Sequence, residues 1–259
     1  MSKRQPTGPP PPPVVQRVRL RYTKRDRMRF ASHRDLARAL ERAIRRAQVP
    51  IAFSAGFSPH PKISYVGAAP TGTASEAEYF EIGLSRPVDI EQLRAALDAA
   101  LPVGVDLVDV VEARTPGFAD RMEASAWDLE FPGADVAVVE AAAAAFAAAE
   151  SVIVQRTTKN GIRDVDARAA VVHVGTRVVP GGPGDAPRAI LALVVRQVIP
   201  AVRPDDVLAA LRALTGFVAP LPPRSVRVAQ GPMTGASPAS VGDPLDPDRE
   251  ASPVAAPGG

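Results

Sequence analysis

The chain has 259 residues, no cysteine and a formal net charge of +3. The absence of cysteine excludes disulfides, thiolate zinc sites, cysteine nucleophiles and cysteine-ligated iron–sulfur clusters. No apolar run reaches the roughly 18 residues that a membrane helix needs, and no signal peptide is visible. We therefore expect a cytoplasmic protein without a membrane partner.

The charged residues are unevenly distributed along the chain. Residues 1–65 hold 15 Lys and Arg against 3 Asp and Glu, a net charge of +12, whereas the remaining residues hold 16 against 25, a net charge of −9. Such a split favours a polyanionic partner, RNA above all, at the N-terminal end. The alternative is a well-solvated arginine-rich surface that binds no nucleic acid.

The first half of the chain begins with a proline-rich segment, residues 1–15, for which we expect disorder. Beyond it, alternating apolar residues and arginines predict a half-buried strand with an arginine face. Ser32, with Asp35 three residues later, predicts the start of a helix. The predicted elements are strand 17–30, helix 33–47, strand 63–66, strand 78–84, helix 90–101 and strand 105–111.

The predicted helix 33–47 has two distinct faces. Its buried face is predicted to contain Leu36, Leu40, Ala43, Ile44 and Ala47. Spacings of four residues place Arg34, Arg38 and Arg42 on one outward ridge. Glu41 is expected to pair with Arg38 or Arg45, so that not every arginine on the helix is free.

The second half of the chain repeats the pattern with one addition. Asn160-Gly161 is typical of a hairpin tip, and that hairpin is extra relative to a minimal unit. Residues 231–259 lack apolar periodicity, and we expect a disordered tail there. The predicted elements are strand 126–131, helix 136–149, strands 151–157 and 165–174, strand 188–198, helix 205–214 and strand 225–230.

These elements predict an α+β protein. Each half follows the order β-α-β-β-α-β, which is the ferredoxin-like arrangement. The sequence therefore predicts two tandem ferredoxin-like domains, residues 16–114 and residues 125–230, with disordered proline-rich termini at 1–15 and 231–259.

The loop from Gly56 to Lys62 is the most specific feature of the sequence. One glycine and two prolines fix an unusual backbone, and His60 between the prolines is expected to be presented to solvent. A rigid crossover in which His60 only caps a backbone carbonyl is the alternative.

His33, in the first helical turn, is a candidate base, but two histidines without a third ligand predict no metal site. His173 lies in an apolar strand and is expected at the core or a sheet edge.

The predicted hairpin of the second half carries a mixture of charges. Lys159, Arg163 and Arg168 alternate with Asp164 and Asp166. The hairpin could reach a phosphate backbone, or its charges could pair locally in solvent.

Several motifs of the first half stand together in this sequence: Arg29-Phe30, Ser32-His33-Arg34-Asp35-Leu36, Gly56-Phe57, Pro59-His60-Pro61-Lys62, Glu76 and Glu78-Tyr79. With these motifs the chain resembles a known family, the radical-SAM-associated bacterial domains of unknown function. Members are fused or adjacent to a radical-SAM protein with a B12-type domain, often near ribonuclease E/G genes. The resemblance covers about residues 16–230, although Ala167 and Ala169 depart from the family's second-half signature around Val165–Arg168.

The resemblance implies a radical-SAM partner, since this chain lacks the three cysteines that such an enzyme needs for its cluster. We expect a non-catalytic accessory protein that binds RNA in a tRNA or rRNA modification or processing context, without a cofactor or a metal ion. One alternative is a metal-independent endoribonuclease resembling CRISPR repeat-processing enzymes, with His33 or His60 as base; another is a protein-only adaptor. The candidate RNA or partner contacts are Arg29, His33, Arg34, Arg38, Arg42, Phe57, His60, Lys62, Lys159, Arg163 and Arg168.

Overall fold

The computed structural model describes residues 11–159, 161–181, 187–235 and 240–251. The fold is α+β, as predicted. The described residues divide into two compact units. The first comprises those of Met1–Gly72, Glu76–Ala119 and Leu245–Gly259, and the second comprises those of Thr73–Ser75 and Asp120–Pro244.

The first unit is a four-stranded sheet with two helices, in the order β-α-β-β-α-β. Its sheet has the strand order β4-β1-β3-β2, with β1 antiparallel to β4 and β2 antiparallel to β3. A 3-10 helix, Asp26–Phe30, precedes the first α-helix. The elements are β1 (Gln16–Lys24), α1 (His33–Arg46), β2 (Ile63–Val66), β3 (Ala74–Leu84), α2 (Ile90–Asp98) and β4 (Leu107–Glu112).

The core of the first unit forms where α1 packs on the sheet. The apolar residues of β1 are fully buried, as the alternation predicts, together with those of α1 and β3. The arginine face predicted for β1 is only partly exposed, because the Arg17 side chain is 53% exposed whereas Arg19 is only 4% exposed. Arg19 is buried against Asp248 and Thr115, and the buried Lys24 donates to the backbone carbonyl of Pro70 at 3.1 Å.

The second unit repeats the helix and strand order around a separate two-stranded ribbon. The strands β10-β5-β9-β8 form a sheet whose neighbours are all antiparallel, and Ala74 and Ser75 pair in parallel with Val226 and Arg227 of β10. The ribbon β6–β7 is the predicted extra hairpin. The elements are β5 (Ala124–Phe131), α3 (Val136–Ala148), β6 (Ile153–Thr158), β7 (Gly161–Asp166), β8 (Val171–Val179), β9 (Arg188–Arg196), α4 (Pro204–Thr215) and β10 (Arg224–Gly231).

The single strand predicted over residues 165–174 is instead the end of β7 and the start of β8. A turn over residues 167–170 separates them. Asp166 organises this turn, because its carboxylate accepts hydrogen bonds from the backbone N–H of Arg168 at 2.9 Å and of Ala169 at 3.2 Å. Asn160, at the predicted hairpin tip, lies outside the described residues.

The predicted disordered tail is wrong over residues 231–235 and 240–251; residues 236–239 and 252–259 lie outside the described residues. Two short strands, β11 (Met233–Thr234) and β12 (Ser240–Val241), pair with each other, and a short helix follows as α5 (Asp246–Glu250). Leu245 is completely buried and Asp248 is 1% exposed. This segment lacks apolar periodicity. It is ordered because the Leu245 side chain is buried and the buried Asp248 carboxylate accepts hydrogen bonds from Arg114 and Thr115.

The N-terminal segment is also fixed at its end. The backbone N–H of Val15 donates to the carbonyl of Leu84 at 2.9 Å. The prediction that residues 1–15 are disordered is therefore wrong for Val15. Residues 1–10 of that segment lie outside the described residues. None of the helices in the described part of the chain is both long enough and apolar enough to cross a bilayer.

Candidate nucleic-acid interface

Helix α1 is built as the sequence predicts. Ser32 caps its N-terminus, with the side-chain oxygen accepting from the backbone N–H of Asp35 at 3.2 Å and donating to that residue's carboxylate at 2.7 Å. The buried face consists of Leu36, Ala39, Leu40, Ala43 and Ile44. Ala47, predicted on the same face, is half-buried as the C-cap.

The outward side of α1 carries three arginines at a spacing of four residues, which we call the arginine face: Arg34, Arg38 and Arg42. All three are exposed. Across the described residues, none of them forms an ion pair or a side-chain hydrogen bond, and Glu41 pairs with neither Arg38 nor Arg45. The pairing expected for Glu41 is therefore wrong, and the guanidinium groups of the arginine face have no ion-pair partner within the described chain.

His33 lies at the start of α1 with its side chain exposed. Its ring meets the ring of Tyr65 edge to face, with centroids 5.1 Å apart, and Tyr65 in turn lies 6.0 Å from Phe80 in the core. Burial, together with the carboxylate of Glu41, raises the pKa of Tyr65 well above its ordinary value. The phenol therefore stays neutral, and it connects His33 to the hydrophobic core.

The loop between Phe53 and Lys62, which we call the Phe57 loop, is closed by backbone contacts at its base. The N–H of Lys62 donates to the carbonyl of Ala52, and the N–H of Ser54 donates to the carbonyl of His60, both at 2.8 Å. Gly56 has φ of +134°, a conformation that a residue with a Cβ rarely adopts. These constraints leave Phe57 70% exposed at the tip, and His60 and Lys62 exposed beside it.

Arg29 and Phe30 lie in the 3-10 helix before α1. The guanidinium carbon of Arg29 lies 4.6 Å from the centre of the Phe30 ring, and Phe30 is 58% exposed. The backbone carbonyl of Arg29 accepts from the N–H of Gly72 at 2.8 Å. A planar cation stacked on an exposed ring is a surface on which a nucleobase can continue the stack.

The three candidates of the second unit differ in how accessible they are. Lys159 and Arg163 are exposed on the β6–β7 ribbon. Arg168 instead donates to the backbone carbonyls of Val171 and Ala147, so its guanidinium is occupied by the fold. His173 is half-buried on β8, the edge strand of its sheet, where an edge residue was expected.

The other acidic motif residues have local structural partners. Glu76 pairs with Arg25 through two hydrogen bonds, which raise the pKa of that arginine, and Glu78 accepts from the backbone N–H of Ala69 at 3.1 Å. Among the residues that the structure describes, no three histidine, aspartate or glutamate side chains group closely enough to hold a metal ion.

Sequence reasoning missed a second polar cluster in the first unit, formed by Arg19, Thr115 and Asp248. Its members are far apart in the chain, since Arg19 and Asp248 are separated by 229 in residue number. No local spacing could have brought them together. The one available signal was an aspartate three residues after an isolated leucine in an otherwise proline-rich tail.

Comparison with known proteins gives a family. The model of the family described as "Uncharacterized protein conserved in bacteria (DUF2344)" matches residues 17–204. A search of curated proteins finds no match.

Two solved structures are similar over most of the chain at low identity. A protein titled "Crystal Structure of an Unknown Protein from Galdieria sulphuraria" is 14% identical, covers 78% of this chain and 94% of its own, and has a TM-score of 0.23. A DypB variant in complex with manganese is 12% identical, covers 78% of this chain and 84% of its own, and has a TM-score of 0.20. Scores this low carry no argument about fold or function.

Proposed function

Because the chain belongs to this family of uncharacterized bacterial proteins, we propose a function from its own residues: a non-catalytic accessory protein that binds RNA and works with a radical-SAM protein in the cytoplasm. The RNA would be bound through its phosphates by the arginine face of α1. The partner would bind at the Phe57 loop.

The observation that carries the RNA proposal is that no arginine of the arginine face forms an ion pair within the described chain. Many surface arginines pair with nearby carboxylates, and such pairs contribute little to binding anything else. Arg34, Arg38 and Arg42 instead repeat at about 6 Å along the helix axis and remain exposed without partners in the described chain. A row of unpaired guanidinium groups suits successive phosphates of a single strand.

The Phe57 loop supports the proposal of a protein partner. A phenylalanine that is 70% exposed on a backbone fixed by Gly56 and two prolines is a rigid apolar anchor of the kind found at interfaces. The radical-SAM identity of that partner rests on the motif resemblance, which includes Gly56-Phe57 and Pro59–Lys62.

The positions of His33 and His60 do not support the endoribonuclease alternative. His33 contacts the neutral ring of Tyr65, and the backbone of His60 pairs with Ser54. In the described residues, neither imidazole donates to or accepts from a carboxylate that could orient it as a general base.

The test measures the affinity of a short fluorescein-labelled single-stranded RNA over a series of salt concentrations. The wild-type chain is compared with Arg38→Ala/Arg42→Ala. Both arginines lie opposite the buried face of α1, so the variant should fold as the wild type does by circular dichroism. We expect the slope of log affinity against log salt to decrease by about 0.7 for each lost phosphate contact.

The matched control is Arg86→Ala/Arg212→Ala, which removes the same charge from two exposed arginines that are not part of α1. If the slope decreases equally in both variants, the arginine face has no special role. If the wild-type protein does not bind RNA, the function is that of a protein-only adaptor.

A further inference from the structure

The short helix α5 places one carboxylate in a fully formed anion site of the first unit. The Oδ1 atom of Asp248 accepts from the backbone N–H groups of Arg114 and Thr115, each at 2.9 Å, and from the hydroxyl of Thr115 at 2.6 Å. The Oδ2 atom accepts from the guanidinium of Arg19. We call the donor set of Arg19, Thr115 and the Arg114 backbone N–H the Arg19 cradle.

The cradle is held in place by contacts that do not involve Asp248. Arg19 donates from Nε to Glu81 at 3.0 Å and from Nη2 to the backbone carbonyl of Thr115 at 2.7 Å. Its guanidinium also lies 4.7 Å from the centre of the Phe118 ring. The donors are therefore oriented before any ligand arrives, and preorganisation of this kind lowers the cost of binding.

The ligand of the cradle, in contrast, is a minor part of the fold. Helix α5 has five residues, too few to be stable without docking. Arg19, Arg114 and Thr115 lie within the residues that the family model matches, 17–204, whereas Asp248 lies outside them. The residues of the cradle thus lie within the matched range, whereas the residue that occupies it lies beyond that range.

The surroundings of the cradle leave room for a larger ligand. A cavity of about 430 Å³ lies beside it, with Arg17, Arg19, Glu81, Thr115 and Phe118 in its lining. A segment longer than α5 could extend into this cavity while its carboxylate takes the position of Asp248.

We propose that the Arg19 cradle is a docking site for an acidic protein segment, which residues 245–250 occupy within the same chain. A partner segment replaces them when it presents a leucine and, three residues later, an aspartate on one helical turn. That pattern is the one formed by Leu245 and Asp248, which are 0% and 1% exposed. This proposal is independent of the arginine face and of RNA binding.

A carboxylate suits the cradle better than a nucleic-acid phosphate. The donors of the cradle converge on one carboxylate, and Leu245 is buried three residues before that carboxylate on the same segment. A phosphodiester carries a sugar on each side of the charged group and has no apolar group that corresponds to the leucine. The observed occupant therefore defines both parts of the proposed ligand.

The test uses the full chain and a labelled peptide of its own residues 243–251, DPLDPDREA. The wild-type chain is compared with Asp248→Ala, in which the internal ligand no longer competes for the cradle. We expect the variant to bind the peptide at least about tenfold more tightly, because the internal segment leaves only a fraction of wild-type cradles open. The same peptide carrying Asp248→Asn should lose most of this affinity, whereas the Asp246→Asn peptide should keep it.

A second measurement does not require the variant to fold. In the wild-type chain, an excess of the peptide should shift the amide NMR signals of Arg114 and Thr115.

Adding Thr115→Val to Asp248→Ala should abolish peptide binding. The proposal is overturned if folded Asp248→Ala shows no saturable binding, or if inorganic phosphate or a short RNA displaces the peptide from it.

Discussion

The arginines of this chain differ in what their guanidinium groups contact, and that difference separates those that stabilise the fold from those that are exposed to solvent. Arg19 forms ion pairs with Glu81 and Asp248. Arg156 forms an ion pair with Asp206. Burying such a charge is costly unless it is paired and hydrogen-bonded. Arg38 and Arg42 remain in water without a partner in the described chain. The sequence could not show which arginine of β1 would be buried, because Arg17, Arg19 and Arg21 alternate identically along that strand.

Asp166 gives a prediction about pH. Its burial would raise its pKa, but hydrogen bonds from the Ser151 hydroxyl and from the backbone N–H groups of Val152, Arg168 and Ala169 outweigh burial and lower it. A carboxylate whose pKa is lower in the folded state stabilises the protein above its unfolded pKa, and this contribution is lost as the pH falls through the folded value. We expect Asp166→Ala to reduce the free energy of unfolding at pH 7 by about 1–2 kcal/mol.

Urea denaturation of the wild type and Asp166→Ala at a series of pH values measures this effect. The difference between the two proteins should be constant near neutral pH. It should shrink as the pH falls below about 4, where the carboxyl group of the unfolded chain becomes protonated, and disappear below the lower pKa of the folded state. Exposed Asp164, on the same ribbon, is the matched control, and Asp164→Ala should change little at any pH. A difference that persists unchanged at low pH would contradict the role of the charge.

At the scale of elements, one ion pair joins the extra ribbon to α4. Arg156 of β6 donates to the carboxylate of Asp206, and it also donates to the carbonyl of Ala201 at 2.8 Å. Asp206 accepts in addition from the backbone N–H of Arg203 at 2.7 Å, at the start of α4. We expect Arg156→Ala to lower the free energy of unfolding by about 3–5 kcal/mol, because it leaves a buried carboxylate without its counter-charge.

The ribbon supplies its own control for this prediction. Arg163 is the cross-strand neighbour of Arg156 in the ribbon, and its side chain is exposed. Arg163→Ala should therefore change the free energy of unfolding by no more than about 0.5 kcal/mol. Equal losses in the two variants, measured by chemical denaturation, would show that the pair with Asp206 does not anchor the ribbon.

Local signals predicted the elements they determine directly. Ser32 and Asp35 fixed the start of α1, and Asn160-Gly161 predicted the hairpin whose strands pair as β6 and β7. The break between β7 and β8 was missed because the turn after Asp166 contains neither glycine nor proline. It forms through hydrogen bonds from four backbone and side-chain donors to one carboxylate, which apolar periodicity does not reveal.

At the scale of the molecule, the α+β fold and the order of its helices and strands could be predicted from patterning, but the extent of the first unit could not. Its predicted boundary, 16–114, omits Thr115, Phe118 and the C-terminal segment that contains Asp248. These residues belong to the unit through contacts that span most of the chain. The arginine face was predictable from helical spacing, whereas the Arg19 cradle was not, because its members have no shared local pattern.

The last prediction concerns the stability contributed by the C-terminal segment, for which the sequence alone predicts no contribution. Asp248→Ala removes the acceptor of four donors in the Arg19 cradle. Arg19 keeps its pair with Glu81, so we expect a moderate loss of about 1–3 kcal/mol in the free energy of unfolding. Asp246→Ala, on the exposed side of the same helix, removes an equal charge and should cost no more than about 0.5 kcal/mol. Chemical denaturation of the full chain compares the two, and equal stability of both variants and the wild type would mean that α5 does not stabilise the first unit.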